Sequence, residues 1–174
     1  MPRELLWDCS NDYCTETTYR KGTATASAPM GVCAGLSTEW CKNILKGVRP
    51  ELSKPMLLQG MLYQRFFDWS EQASGTTDAI DKAFQLAGLL RGYSSVFSSA
   101  GIAAQGIWRT DAVCWLRFSN HAIAAAKTAK GFFFFDPNFG CYEVANELRL
   151  QQLLEQGQRA VGAKKTVEIY LASI

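Results

Sequence analysis

The sequence predicts an α+β domain in which helices come first and an antiparallel sheet follows. In the first half of the chain, apolar residues recur every three or four positions, which is the period of an amphipathic helix. From residue 112 onward, short apolar runs alternate with turn residues, which is typical of strands. The chain has 174 residues, of which 48% are hydrophobic, so it is long enough to bury a core of its own.

Composition and charge exclude several classes of protein. With 20% charged residues, the chain is neither disordered nor collagen-like. A net charge of +2 gives no reason to expect a nucleic acid or an anionic membrane as partner. No apolar run approaches the roughly 20 residues of a membrane span, and the first residues lack a signal-peptide pattern. We therefore expect a soluble chain with no integral membrane segment.

Three helices are expected in the first half of the chain. They follow a segment, residues 1–30, that is rich in Thr, Ala, Ser and Gly without a sustained period and is predicted to be irregular. The first helix is predicted over residues 33–46 because Leu36, Trp40 and Ile44 repeat every four positions. The second is predicted over residues 53–73, and its expected inward face is Leu58, Leu62, Phe66 and Trp69.

The third helix is expected to begin at Thr77 or Asp78 and to end near Gly92. Residues 94–106 favour neither helix nor strand. The remaining predicted elements are strands over residues 112–118, 121–127 and 132–136, a helix over 148–154 and a closing strand over 167–171. The turn sequence Thr-Ala-Lys-Gly joins two of these strands in a hairpin, and the run of four phenylalanines predicts a strand buried on both faces.

Six cysteines and a single histidine narrow the chemistry that the chain can perform. An even number of cysteines is compatible with disulfides, but disulfide frameworks belong mainly to short secreted chains. Zinc sites favour Cys-x-x-Cys pairs, and the nearest spacing here is Cys9-x4-Cys14. We therefore expect reduced thiols, with no metal and no cofactor.

Cys33 stands at the point where a glycine-containing loop becomes the first predicted helix. Unpaired backbone N–H groups and the helix dipole stabilise a thiolate at such a position. Gly31 and Gly35 on either side would allow the backbone of a substrate to come close. The alternative is a structural cysteine that packs beside Trp40, since cysteine is among the residue types most often buried.

His121 and Asp136 occupy the two strands of the predicted hairpin. Their midpoint, (121 + 136)/2 = 128.5, falls between Thr128 and Ala129 within the predicted turn, so the two side chains are expected opposite each other with Cβ atoms about 5 Å apart. An aspartate at that distance can fix the tautomer of an imidazole. The alternatives are a structural histidine at a strand end and a turn-forming aspartate before Pro137.

Together the three residues predict nucleophilic catalysis by a thiol. The thiolate of Cys33 would attack a carbonyl carbon, His121 would hold the counter-charge and later protonate the leaving group, and Asp136 would orient the imidazole. The first N–H groups of the helix, including that of Cys33, would face the developing oxyanion.

Three segments around these residues resemble a known family. They are Gly-Val-Cys33-Ala-Gly-Leu-Ser-Thr-Glu-Trp40, Asn-His121-Ala-Ile and Phe-Phe-Asp136-Pro-Asn-Phe-Gly140. In these segments, and in the order Cys, His, Asp, the sequence resembles the YopT/AvrPphB group of bacterial effector cysteine proteases, a branch of the papain-like fold.

The resemblance implies a single papain-like catalytic domain over residues 31–174, with Cys33, His121 and Asp136 as its catalytic residues. It also implies a virulence effector or toxin that a specialised bacterial secretion system delivers into a target cell. The expected partner is a protein substrate of the host or target cell. A cognate chaperone or immunity protein is a further candidate partner.

Two other functions stay open from the sequence. A glutamine deamidase, another amidase or an acyl transferase would use the same three residues on the same scaffold, because only the group that leaves or accepts the acyl-enzyme differs. A non-catalytic binding module that retains the scaffold is the alternative from a different class, although all three residues of the predicted triad are present.

Overall fold

A computed structural model describes residues 5–8, 32–48, 54–119 and 121–174. Five helices lie within these ranges: α1 (Cys33–Leu45), α2 (Lys54–Ser74), α3 (Thr76–Ala87), α4 (Ala100–Trp108) and α5 (Glu147–Ala160). The strands are β1 (Leu5–Asp8), β2 (Leu90–Phe97), β3 (Val113–Phe118), β4 (His121–Thr128), β5 (Gly131–Asp136), β6 (Gly140–Glu143) and β7 (Val167–Ser173). Three helices precede most of the sheet, and the predicted α+β class is confirmed.

The strands form one sheet in the order β1-β6-β5-β4-β3-β7-β2, and each neighbouring pair is antiparallel. A helical layer covers each face of this sheet. Helices α1 to α3 pack on one face in a core that includes Trp40, Phe84 and Trp115. Helices α4 and α5 pack on the other face around Leu116 and Ile123. Both faces of the central strands are therefore buried, and the predicted double burial of residues 132–135 is confirmed.

Helices α1 and α2 approach each other closely because glycines meet where they cross. A Cβ atom at Gly35 would lie 1.9 Å from the carbonyl oxygen of Gly60, and one at Gly60 would lie 2.7 Å from Leu36 Cδ2. Neither position accepts a side chain without moving a helix. Another backbone does come close to Gly35, as expected, but it belongs to α2 and not to a substrate.

The predicted inward face of the second helix is also wrong. Leu58, Leu62, Phe66 and Trp69 are between 42% and 67% exposed. The buried face of α2 is Leu57, Gly60, Tyr63, Gln64, Phe67 and Ser70. This face includes a glycine, an amide side chain and a hydroxyl side chain. Because these residues are not hydrophobic, the hydrophobic pattern alone identifies the wrong side of the helix.

Three segments depart from the expected secondary structure. Strand β1 lies within the residues 1–30 that are predicted to be irregular, and a strand of four residues is too short to show a period. Helix α3 ends at Gly88, which takes the left-handed conformation, rather than near Gly92. The ambiguous residues 94–106 divide between the end of β2 and most of α4, which Ser99 caps by accepting the N–H of Ile102.

The hairpin of β4 and β5 has a different register from the one expected. Thr128 pairs with Gly131 and Ala124 pairs with Phe135, so the loop consists of Ala129 and Lys130 and the pairing is centred one residue later than predicted. Continuing this register places Asp136 opposite Ile123 instead of His121. The shift is two positions on one strand, and because side chains alternate with a period of two, His121 and Asp136 stay on the same face.

Candidate active site

Cys33 is the first residue of α1, as the sequence predicts, and its side chain borders a cleft at the edge of the helical layer. The first hydrogen bond within this helix runs from the N–H of Leu36 to the carbonyl of Val32. The amides before Leu36 therefore have no partner within the helix. The indole N–H of Trp115 donates to the carbonyl of Ala34 at 3.4 Å, which ties the first turn of α1 to strand β3.

A stacked aromatic pair joins the nucleophile's helix to the strand that carries the aspartate. The rings of Trp40 on α1 and Phe135 on β5 lie 5.8 Å apart and 7° from parallel, and both residues are almost completely buried. Since Asp136 follows Phe135 directly, this contact fixes the distance between the start of α1 and the end of β5.

His121 and Asp136 form a buried hydrogen bond. His121 Nε2 lies 2.8 Å from Asp136 Oδ1, and the two residues are 4% and 1% exposed. The same carboxylate oxygen accepts the N–H of Asn138 at 2.9 Å. Asp136 therefore shapes the turn that follows β5 and also binds the imidazole. Its expected roles as a turn former and as the partner of His121 are compatible.

The surroundings of His121 favour its protonated form. Burial alone would lower the pKa of the imidazole, but the Asp136 carboxylate and then a hydrogen bond with Cys33 raise this pKa to about 10. Because Asp136 occupies Nε2, the ring nitrogen that remains for Cys33 is Nδ1. A cationic imidazole between a carboxylate and a thiol is the arrangement that stabilises a thiolate.

Helix α5 supports Asp136 from the other side of the sheet. A Cβ atom at Gly157 would lie 2.9 Å from Asp136 Oδ2 and 2.9 Å from Phe118 Cζ. The ring of Phe118 in turn lies 5.5 Å from the imidazole of His121. The helix can reach the carboxylate only because residue 157 has no side chain.

The cleft beside Cys33 contains polar residues that belong to none of the three sequence motifs. Its lining residues are Cys33, Ala34, Gln64, Phe67, Asp68, Glu71, Trp115, Arg117, His121 and Ala122. Gln64, Asp68 and Glu71 come from α2, whose buried face differs from the one that the hydrophobic pattern predicts. Their spacing could have indicated a shared polar face, because positions 64, 68 and 71 are the i, i+4 and i+7 positions of one helix face.

The chemistry of Cys33 sets it apart from two other cysteines of the core. All three thiols are buried, but Cys33 keeps 8% of its surface exposed against 1% or less for Cys41 and Cys114. Burial, and then the nearby Cys114, raise the pKa of the Cys41 thiol well above its usual value. Burial raises the pKa of Cys114 to about 12. Both thiols therefore stay neutral at physiological pH, whereas Cys33 interacts with the imidazole of His121. Cys9 and Cys14 lie outside the described residues.

Within the described part of the chain, no group of three or more His, Cys, Asp or Glu side chains is arranged to hold a metal ion.

Among the same residues, no helix combines the length and the apolar character that crossing a membrane requires.

Comparisons with known proteins give similarity at the level of structure. No protein-family model matches the sequence, and no curated protein sequence matches it. The structure is similar to that of the Pseudomonas avirulence protein AvrPphB, with a TM-score of 0.64 and 20% identity over 82% of this chain and 92% of that one. It is also similar to PatoxP, a cysteine protease-like domain of the Photorhabdus asymbiotica toxin PaTox, with a TM-score of 0.59 and 12% identity.

The second similarity covers 92% of this chain and 52% of the PaTox chain. At these identities the comparisons establish the fold. The order of elements, with α1 carrying Cys33 against a sheet whose central hairpin carries His121 and Asp136, is the order that the resemblance predicts. The chain has the papain-like α+β fold of the YopT/AvrPphB type.

Proposed function

We propose that the chain is a papain-like cysteine hydrolase, specifically a thiol protease, with Cys33, His121 and Asp136 as its catalytic residues. The observation that carries this proposal is the buried bond of 2.8 Å between His121 Nε2 and Asp136 Oδ1, beside a cysteine at a helix start that borders the same cleft. The interaction of His121 with Cys33 adds to this support.

In the proposed mechanism, the Cys33 thiolate attacks the carbonyl carbon of a peptide bond, and the π electrons move to the oxygen. The backbone N–H of Cys33 faces this oxyanion. When the intermediate collapses, the C–N bond breaks and the leaving amine takes a proton from the His121 imidazolium. His121 then takes a proton from water, the resulting hydroxide cleaves the thioester, and the thiolate–imidazolium pair is restored.

The proposed role of Asp136 follows from its hydrogen bond. It accepts from Nε2 and so directs Nδ1 at Cys33, and its charge stabilises the imidazolium during both steps. Asp136 is 1% exposed, so water screens this charge little.

The proposed substrate is a protein of a target or host cell, cleaved after delivery through a bacterial secretion system. This part of the proposal is supported by the kind of protein that shares the fold, namely an avirulence protein and a cysteine protease-like toxin domain. A cognate chaperone or immunity protein belongs to the same proposal.

Mass spectrometry of treated target-cell lysate tests the reaction type. The wild-type chain and Cys33→Ala are incubated with lysate, and new protein N-termini are labelled and quantified. New termini that appear only with the wild-type chain support a protease. A gain of about one mass unit at glutamine residues without new termini contradicts it in favour of a deamidase, because deamidation replaces an amide by an acid.

A labelling experiment that needs no substrate separates an enzyme from a binding module. Iodoacetamide is added to the folded protein at pH 6, and the alkylation of each cysteine is followed by peptide mass spectrometry. Cys33 is expected to react much faster than Cys41 and Cys114, which burial keeps neutral. Equal, slow reaction of all three would contradict an activated nucleophile.

A further inference from the structure

We propose that Gln64 of α2 is a positioning residue for the nucleophile: it fixes the first turn of α1, which carries Cys33, and binds Asp68 at the border of the same cleft. The inference rests on the proposed function and adds a residue to its machinery. No sequence motif indicates this residue, because it comes from the helix that follows the one carrying Cys33.

The side chain of Gln64 makes two hydrogen bonds that fix its orientation. Its Oε1 accepts the backbone N–H of Gly35 at 2.8 Å, and its Nε2 donates to Asp68 Oδ1 at 2.7 Å. Since a backbone N–H requires an acceptor and a carboxylate requires a donor, the amide has one possible orientation. Gln64 is 1% exposed, and its bond to Gly35 is buried, so water does not compete for that bond.

The bond to Gly35 replaces a cap that α1 does not provide itself. The N-cap residue, Val32, has no side chain that can accept from the first turn, whereas helices usually begin with a capping Ser, Thr, Asp or Asn. Gly35 is two residues after Cys33 and precedes the first amide that bonds within the helix. Gln64 therefore performs the capping function from a neighbouring helix, and the turn under Cys33 is fixed relative to α2.

The glycine crossing keeps this bond in place. A Cβ atom at Gly35 would lie 2.5 Å from the backbone nitrogen of Gln64, which shows how closely α2 approaches the first turn of α1. At this separation no water fits between the two backbones. If the amide of Gln64 were removed, the Gly35 N–H would be buried without a partner, which destabilises the local turn.

The second bond concerns charge in the cleft. Asp68 borders the same cleft as Cys33, and negative charge in this cleft would disfavour a thiolate there. The Nε2 group of Gln64 presents its positive end to Asp68 and partly compensates this charge. Loss of Gln64 therefore acts in one direction through both bonds: it loosens the turn under Cys33 and leaves the Asp68 carboxylate less compensated.

Alkylation of Cys33 in full-length variants tests the inference. Gln64→Met keeps the length of the side chain and removes both hydrogen bonds. Gln72→Met is the matched control, because Gln72 lies on the same helix and is exposed. Each cysteine is followed by peptide mass spectrometry during iodoacetamide treatment at pH 6, and buried Cys41 reports on loosening of the core.

In Gln64→Met, which loses two hydrogen bonds, the alkylation rate of Cys33 is expected to fall at least about fivefold, the factor for one net hydrogen bond, while Cys41 stays protected. Gln72→Met is expected to match the wild-type chain at both cysteines. An unchanged Cys33 rate in a folded Gln64→Met overturns the inference, and so does an equal decrease in Gln72→Met.

A second variant covers the case in which Gln64→Met loosens the core and Cys41 becomes reactive. Gln64→Glu keeps an acceptor for the Gly35 N–H, so Cys41 is expected to stay protected, but the donor to Asp68 is lost and a second carboxylate is added. Cys33 is again expected to react more slowly than in the wild-type chain. A Cys33 rate equal to that of the wild-type chain overturns the inference.

The same data distinguish failure of this inference from failure of the proposed function. If Cys33 of the wild-type chain reacts no faster than Cys41, the proposed nucleophile is wrong whatever the variants do. If Cys33 reacts fast in the wild-type chain and equally fast in folded Gln64→Met, only the role of Gln64 is wrong.

Discussion

His121 and Asp136 are joined by a hydrogen bond of 2.8 Å, although the register of their hairpin does not place them opposite each other. The pairing of Ala124 with Phe135 makes the contact diagonal across the two strands. Diagonal neighbours are farther apart than directly opposed ones, yet long side chains still reach each other. The register of β4 and β5 differs from the predicted one by two residues on one strand. A displacement of two residues leaves both side chains on the same face of the sheet, so they still meet.

Substitution of the three proposed catalytic residues is expected to have unequal effects. His121→Ala should abolish turnover as fully as Cys33→Ala, because the chain has one histidine and no second imidazole can replace it. Asp136→Ala should leave a residual rate, lower by about 10²- to 10⁴-fold, since nucleophile and base remain but the ring is no longer oriented.

Initial rates on a substrate found in the lysate experiment measure these effects, and thermal melting of each variant checks that it is folded. Full activity of a folded His121→Ala would contradict the assignment of the base. Unreduced activity of Asp136→Ala would contradict the orienting role.

A methyl group at Gly157 is expected to disturb Asp136. Gly157→Ala would bring a carbon atom to 2.9 Å from both Asp136 Oδ2 and Phe118 Cζ. Crowding of this kind costs about 1–3 kcal/mol, which exceeds the roughly 1 kcal/mol that alanine gains over glycine within a helix. We therefore expect a lower free energy of unfolding, measured by urea denaturation, together with a lower turnover rate.

Gly101→Ala on α4 is the matched control for this substitution. Its added carbon would meet the Gln151 side chain at 3.4 Å, an ordinary contact, so the helix propensity of alanine should leave stability unchanged or higher. Equal stability of the two variants would show that α5 does not constrain the carboxylate.

Adjacent leucines of α2 test which side of this helix faces the core. Leu57 is 5% exposed and Leu58 is 60% exposed. Leu57→Ala is therefore expected to lower the free energy of unfolding by about 2–5 kcal/mol, and Leu58→Ala by less than about 0.5 kcal/mol. Chemical denaturation measures both values, and the reverse order would restore the face predicted from the hydrophobic pattern.

The sequence is sufficient for the fold class and for the start of α1, because each depends on a local pattern, and it places His121 and Asp136 on the two strands of one hairpin. It is insufficient for the face of α2, since the close approach of Gly35 and Gly60 selects that face and draws Gln64 inward. Leu58 and Trp69 belong to an apolar stripe with helical spacing. A helix contact made through glycines cannot be recognised from the spacing of apolar residues.

The sequence is also insufficient for the register of the hairpin formed by β4 and β5. The turn sequence Thr-Ala-Lys-Gly contains a two-residue loop, Ala129 and Lys130, and the midpoint calculation alone cannot tell this loop from one centred a residue earlier. Asp136 is recognisable as a turn former and as a site residue, and no sequence pattern indicates that the contact of α5 through Gly157 supports it.

The raised pKa of His121 predicts how stability depends on pH. The pKa is about 10 in the folded chain against a usual 6.5, so the folded state binds the proton more tightly than the unfolded state. The resulting stabilisation is complete below about pH 6.5 and is lost as the pH rises through about 10. The free energy of unfolding is therefore expected to decrease from pH 7 to pH 10.

His121→Gln provides the comparison that isolates this contribution. Both chains carry Cys33→Ala, which removes titration of the thiol, and Asp136 still raises the imidazole pKa. Urea denaturation across this pH range should show a steeper decrease with His121 than with glutamine. Parallel curves would mean that the imidazole titrates alike in the folded and unfolded states.

We propose that His121 is an imidazolium held between Asp136 and Cys33, and a pH titration of its ring signals by NMR measures its protonation without a substrate. The chain contains one histidine, so the signals need no assignment among alternatives. We expect a midpoint near pH 10 that moves to lower pH in Asp136→Asn and in Cys33→Ala. A wild-type midpoint near 6.5, the value of an unperturbed histidine, or a midpoint that neither substitution moves, would contradict it.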